Sequence, residues 1–224
     1  MLSDPIVQRA DVLSAQVYRY LKQEILSGRL APGEKLVESR LAKEFSTSRT
    51  PIREALRMLV VEQLVKEGEG SLRVFEPSYA DFYEIYELRL SMEPYAAKLA
   101  AARWDEDIAL RITDNLQQTS AVLEGQRRID IIQLNSEFHQ CIWEACRNTR
   151  IQRMLENVST LIQYYCLLVL RINQLQTNLF AEHTAIWQAI ASGDGELAYQ
   201  RMQDHVEKDL RILDVARQEG RMQR

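Results

Sequence analysis

Ser46-Thr47-Ser48-Arg49-Thr50-Pro51-Ile52-Arg53-Glu54-Ala55-Leu56-Arg57 is the stretch on which the reading of this chain turns. Small hydroxylated residues form a turn, Pro51 sits where a helix can begin, and an amphipathic helix follows. Arg49, Arg53 and Arg57 recur every four residues and so share one helical face. Ile52, Ala55, Leu56 and Leu59 point elsewhere and can pack inward. A hydroxyl-rich helix start offers backbone N–H donors to a phosphate, and the arginine face can hold phosphates or read guanine edges. The ordinary alternative is a solvated basic face on a core helix. The flanking sequence decides against it.

Upstream, residues 15–27 carry a helical apolar stripe at Val17, Tyr20, Leu21, Ile25 and Leu26 that Gly28 ends. Ala31-Pro32-Gly33 makes a turn, Lys35-Leu36-Val37 is extended, and a second helix spans about residues 38–45 with Leu41, Ala42 and Phe45 facing in. Two short helices joined by a tight turn, the second carrying the arginines, form a helix-turn-helix. Downstream, residues 64–67 and 72–75 flank Gly68-Glu69-Gly70-Ser71 and predict a β-hairpin. The whole reads as a winged helix-turn-helix.

At these residues the sequence resembles a known family. Leu30-Ala31-Pro32-Gly33-Glu34-Lys35-Leu36, Leu41-Ala42 and Ser48-Arg49-Thr50-Pro51-Ile52-Arg53-Glu54-Ala55-Leu56 look like the GntR-type DNA-binding domain over residues 13–76. The resemblance implies that Ser48, Arg49, Thr50 and Arg53 contact DNA and that Gly70 brings the wing backbone into the minor groove. There are departures. Where the family often has a basic residue in the second helix this chain has Ser39, with Arg40 adjacent as a substitute. Gln63 stands where Gly is common, and the wing carries Glu67 and Glu69.

The length of 224 residues accommodates two domains, expected at 1–76 and 77–224. Net charge is −4 overall, but residues 1–76 hold 12 Lys/Arg against 11 Asp/Glu. Affinity for DNA must then come from the placement of arginines rather than from bulk charge. No apolar run is long enough to span a membrane, and charges at Asp4, Arg9 and Asp11 interrupt any signal-peptide core. Cys141, Cys146 and Cys166 match no zinc or redox spacing and are expected as buried thiols of a cytoplasmic protein.

From Ser78 onward the pattern is helical throughout. Ser78-Tyr79-Ala80-Asp81 is a capping box, and later segments near residues 107–123, 129–146, 149–172, 180–191 and 196–217 predict an all-α bundle of six or seven helices. The fold class is therefore mainly α, a winged helix-turn-helix followed by a helical bundle. All three histidines of the chain, His139, His183 and His205, lie on different helices of that bundle. Asn135 precedes His139 by one helical turn and shares its face. Bundle helices converge side chains on a common interior, which is how metal sites arise in such folds. Three unrelated core or surface histidines are the alternative.

The bundle resembles the FCD ligand-binding domain of the FadR-like branch of the GntR family, through Arg89-Leu90-Ser91-Met92-Glu93, Phe138-His139, Glu182-His183 and Gly193-Asp194 followed by Met202 and His205. That resemblance implies a divalent metal, Zn²⁺ or Ni²⁺, held by three histidines and by an Asp that is here Asn135. It also implies a small organic acid effector, for whose carboxylate Arg89 is one countercharge; pairing of Arg89 with Glu93 is the other reading. The expected function is a homodimeric transcriptional regulator, a repressor, that binds a double-stranded, pseudo-palindromic DNA operator. Two alternatives stand beside it. One is a metal-dependent enzyme on the three-histidine site, for which no general base is evident, since Glu137 is turned away from His139. The other is a metal-free regulator of a larger effector such as an acyl-CoA.

Overall fold

The computed structural model describes residues 11–68, 70–125, 128–172 and 178–219; Asp4, Arg9 and Glu69 of the wing lie outside them. Contacts divide the chain into two compact units, Met1–Glu76 and Pro77–Arg224.

In the first unit, α1 (Asp11–Leu26) and α2 (Glu38–Glu44) both pack against α3 (Arg49–Val61). Leu21 and Ile25 of α1, Leu41 of α2 and Ile52, Ala55, Leu56 and Leu59 of α3 close the core. The arginine helix begins at Arg49, two residues before Pro51. Proline is tolerated there because N–H groups of a first helical turn have no intrahelical acceptor to lose. At its other end Gln63 adopts a left-handed φ of 60°, and Leu64 N–H donates back to the Leu59 carbonyl at 3.0 Å. A left-handed closing residue is what favours glycine at that family position. The wing is an antiparallel sheet of order β1-β3-β2, built from β1 (Lys35–Leu36), β2 (Val65–Gly68) and β3 (Ser71–Val74). Val65 pairs with Val74 and Gly68 with Ser71, while Leu36 adds to the far side of β3 opposite Leu72.

The second unit contains, among the described residues, α4 (Tyr79–Ala100), α5 (Glu106–Gly125), α6 (Arg128–Ala145), α7 (Thr149–Ile172), α8 (Leu179–Ala191) and α9 (Gly195–Gln218). Residues 149–172 form a single continuous helix. Helix α4 lies against α9 over most of its length and also touches α6, α7 and α8. Its start is set by a complete capping box: Asp81 accepts from Ser78 N–H at 2.7 Å, and Ser78 Oγ accepts from Asp81 N–H at 3.2 Å. The buried stripe of α4 reads Phe82, Tyr86, Arg89, Glu93, Ala97, Ala100, so two opposite charges sit where apolar residues are the rule. Cys141, Cys146 and Cys166 are buried free thiols. No described helix is long and apolar enough to cross a membrane.

All three tryptophans, Trp104, Trp143 and Trp187, belong to the second unit, so their fluorescence follows the unfolding of that unit alone. Ser78→Ala removes one half of the capping box and should cost about 1 kcal/mol in urea unfolding read this way. Ser91→Ala, exposed in mid-helix, is the control and should stay within about 0.5 kcal/mol of the parent. Equal midpoints for the two variants would mean that the box does not anchor α4.

Candidate functional site

In the first unit, the N-terminus of α3 is open to solvent. Ser48 is its N-cap yet makes no side-chain capping bond, and Ser48, Arg49, Thr50, Arg53 and Arg57 are all exposed. Backbone donors of such a terminus favour an anion. Ser39 and Arg40 are exposed on α2, where Arg40 lies 3.5 Å from Glu44 and 3.9 Å from Glu34. A groove lies between the arginine face and the wing, lined by Glu38, Arg53 and Arg57 from the helices and by Lys35, Glu67 and Gly70 from the wing sheet and its turn. Gly70, at φ +71°, has open space around the place a Cβ would occupy, so the backbone there is accessible. Arg53 does not project freely. It donates from Nε and Nη2 to the two carboxylate oxygens of Glu38, at 3.1 and 2.9 Å.

In the second unit the three histidines meet. Their ligand-capable nitrogens all lie within 4.8 Å of one another, and all three side chains are buried. Each of two rings is gripped from behind. His139 Nδ1 is 2.5 Å from Glu93 Oε2, and His205 Nδ1 is 2.9 Å from Glu182 Oε2. An ionised carboxylate only accepts, so both Nδ1 atoms carry the proton and both Nε2 atoms face inward. These Nε2 atoms are 3.2 Å apart. Two neutral rings would set lone pair against lone pair at that distance, unless a cation or a proton lies between them. His183, stacked on Phe138 with centroids 3.9 Å apart, has no hydrogen-bond partner for either ring nitrogen among the described residues.

This donor set fits a divalent metal. Two nitrogens at tetrahedral zinc, each about 2.0–2.1 Å from the ion, are separated by about 3.3 Å. Carboxylates behind metal-bound imidazoles fix tautomer and ring orientation in the manner Glu93 and Glu182 do here. Burial, reinforced by His205, His139 and Arg89, holds His183 well below the ordinary histidine pKa, in the neutral form that ligates metals. Asn135 is half-buried and lines, with His205, Glu182, Lys208, Asp209 and Cys166, a narrow pocket beside the cluster. Its amide faces Cys166 Sγ at 3.9 Å.

Arg89 is placed differently from a countercharge that meets an effector. It is 1% exposed, and its Nε donates to Glu93 Oε1 at 2.6 Å while Nη1 lies 3.8 Å from Asp209. Of the two readings of Arg89, pairing with Glu93 is the one the geometry realises. Burial alone would push the Glu93 carboxyl up, but Arg89 and His139 together hold it well below the usual carboxylate range. Sequence reasoning noted Glu93 as a partner for Arg89 and Glu182 as a neighbour in a motif, and missed the grip of both on the histidines. The signal was present: a carboxylate on the core stripe of α4 needs a buried partner. Lys208, which pairs with Glu182 at the pocket, and Asp209, which accepts from Tyr86 Oη at 2.9 Å, carried no such signal.

Glu93→Gln would leave Arg89 buried without its close partner and should destabilise the metal-free second unit by about 3–5 kcal/mol in tryptophan-monitored unfolding. Combining it with Arg89→Met should recover most of that loss. An unfolding midpoint for Glu93→Gln equal to the parent would show that the pair does not constrain the interior.

Comparison with known proteins covers both units. Residues 13–71 match the model of bacterial regulatory proteins of the gntR family, and residues 84–208 match the FCD domain. The chain is 30% identical to an uncharacterised HTH-type transcriptional regulator, YdhC of Bacillus subtilis, across 92% of this chain and 93% of that one. It is 27% identical to the HTH-type transcriptional repressor GlaR of Escherichia coli, across 92% of this chain and 97% of that protein. Among solved structures, E. coli McbR/YncC superposes with a TM-score of 0.76 at 22% identity, covering 95% of this chain and 98% of that one. A GntR regulator from Rhodococcus sp. RHA1 gives 0.77 at 21% identity, covering 90% and 97%. These curated relatives are transcriptional regulators and not enzymes. The chain belongs to the GntR family of bacterial transcriptional regulators and carries an FCD domain behind its DNA-binding domain.

Proposed function

We propose that this protein is a homodimeric repressor whose arginine helices occupy two half-sites of a DNA operator and whose FCD domain responds to a small organic acid at a bound divalent metal. The observation that carries the metal reading is the convergence of the His139 and His205 Nε2 atoms, each fixed by a carboxylate behind it, on a centre where both nitrogens of His183 lack a partner among the described residues. Zn²⁺ or Ni²⁺ suits imidazole-rich coordination, with His139, His183 and His205 as ligands and the neutral Asn135 oxygen as a fourth. Such an ion supplies the positive charge that attracts a carboxylate. Lys208 lines the pocket and adds a second cation there, in the part first expected of Arg89. Arg89 then acts through Glu93, by keeping that carboxylate ionised against His139.

On the DNA side, Arg49, Arg53, Ser48 and Thr50 approach the major groove and its phosphates, Ser39 and Arg40 flank them from α2, and Gly70 lets the wing approach the minor groove. The operator is held by local contacts, since the first unit has almost no net charge to offer. The effector must bind DNA-competent and incompetent arrangements with different affinity to act as a switch.

Two experiments address this reading. Full-length protein stripped with a chelator should melt at a lower temperature, and added Zn²⁺ at about a hundred times its dissociation constant should restore about 2.7 kcal/mol. His183→Ala should show no such response; equal melting of stripped and loaded parent protein would remove the metal from the account. Separately, Arg49→Ala should lower affinity for duplexes selected from a randomised pool by about tenfold per half-site. It should leave the melting of the FCD domain unchanged. Parent-like binding by Arg49→Ala would contradict the assignment of the recognition helix.

A further inference from the structure

Glu38 is the first residue of α2 and stands on the face from which α3 presents its arginines. An acid in the first turn of a helix is ordinarily explained by the helix dipole. That explanation does not require both of its oxygens to sit on the Nε and Nη2 edge of Arg53, which is where they are. The hydrogen bonds from Arg53, with the added fields of Arg53, Arg49 and Arg57, hold the Glu38 carboxyl below the usual range, so it is ionised.

A guanidinium has five N–H groups in a planar fork. Glu38 takes Nε–H and one N–H of Nη2. Three N–H groups remain, and two of them, one from each of Nη1 and Nη2, form the end edge and lie parallel, the pattern that meets O6 and N7 of guanine. An arginine held in this way has given up part of its rotamer freedom before it docks, so less is lost on docking. The carboxylate has a second consequence. It repels phosphates, which weakens binding to DNA of any sequence, and it restrains Arg53 from swinging onto a backbone phosphate at a wrong site. A feature that costs general affinity and fixes one planar donor pair serves discrimination.

We propose that Glu38 is a positioning residue for base recognition, holding Arg53 so that its free Nη1–Nη2 edge reads one guanine in each half-site. This rests on the reading of α3 as the helix that enters the major groove.

The test is sequence selection by the full-length protein from a pool of randomised duplex DNA, run in parallel for the parent, Arg53→Ala, Glu38→Gln and Glu38→Ala. The parent should enrich a motif with a guanine at one position per half-site, and Arg53→Ala should lose the preference at that position. Both Glu38 variants should lose about tenfold in guanine preference at the same position and keep the rest of the motif. They should hold the unselected pool as tightly as the parent or more tightly, because one negative charge is gone. A merely structural role for Glu38 would instead weaken all positions and lower the melting temperature. An unchanged motif in the Glu38 variants overturns the proposal while leaving operator recognition intact, as does loss of preference at a position other than the one Arg53→Ala affects. A parent protein that enriches no motif would remove operator recognition itself and this proposal with it.

Discussion

Glu93 is ionised, fully buried and held between Arg89 and His139, and the arrangement of the histidine centre follows from that placement. A lone carboxylate in the interior would be expensive, and Arg89 offsets its charge from the same helix, one turn away. The second oxygen is then free to accept from His139 Nδ1, which sets the tautomer and turns Nε2 toward α9. On α9, Asp209 steadies Arg89 and Tyr86, while His205 one turn earlier is turned inward by Glu182. The chain of contacts runs from Asp209 through Arg89, Glu93 and the two imidazoles to Glu182 and Lys208. It links α4, α6, α8 and α9 by ion pairs and hydrogen bonds at both ends, with two neutral imidazoles at the middle, and among the described residues the ring nitrogens that meet there are the ones left without a donor. The proposed cation would satisfy the nitrogens that meet at that centre.

The DNA-binding unit solves a different electrostatic problem. Its net charge is close to zero, so it lacks the general attraction to phosphate that strongly basic domains enjoy. What it has is a short helix with an open N-terminus and three arginines on one face, beside acids at Glu38 and in the wing at Glu67. Negative side chains near a phosphate lattice weaken binding to DNA of any sequence, so a complex forms only where the arginine contacts fit well. The composition of this face thus favours selectivity over raw affinity, in keeping with a regulator that must leave most of the chromosome alone.

The sequence made much of this legible, for identifiable reasons. The spacing of Arg49, Arg53 and Arg57 against Ile52, Leu56 and Leu59 sorted exposed from buried faces of α3, because helical periodicity is local information. The Ser78–Asp81 box marked the start of α4 for the same reason. Element ends were less legible: α3 opens at Arg49, two residues before Pro51. Convergence of the three histidines was inferable from their rarity, the bundle architecture and the resemblance to the FCD domain taken together. Their supports were not. Whether Arg89 faces a ligand or Glu93 depends on which side of α4 is covered by α6 and α9, a tertiary fact that no local pattern contains. Lys208 and Asp209 look like ordinary charges on an amphipathic helix until the pocket between α6, α8 and α9 is seen.

X-ray absorption at the zinc edge of the zinc-loaded, full-length protein tests the central claim most directly, because it reads the atoms around the ion and not a consequence of binding. The account predicts multiple scattering from three imidazoles, nitrogen distances of about 2.0–2.1 Å, the remaining ligands oxygen, and no sulfur. Removal of His205 should lower the imidazole count by one. A sulfur shell at about 2.3 Å would place Cys166 in the coordination sphere and contradict the site described, and a spectrum without imidazole scattering would contradict the histidine centre altogether.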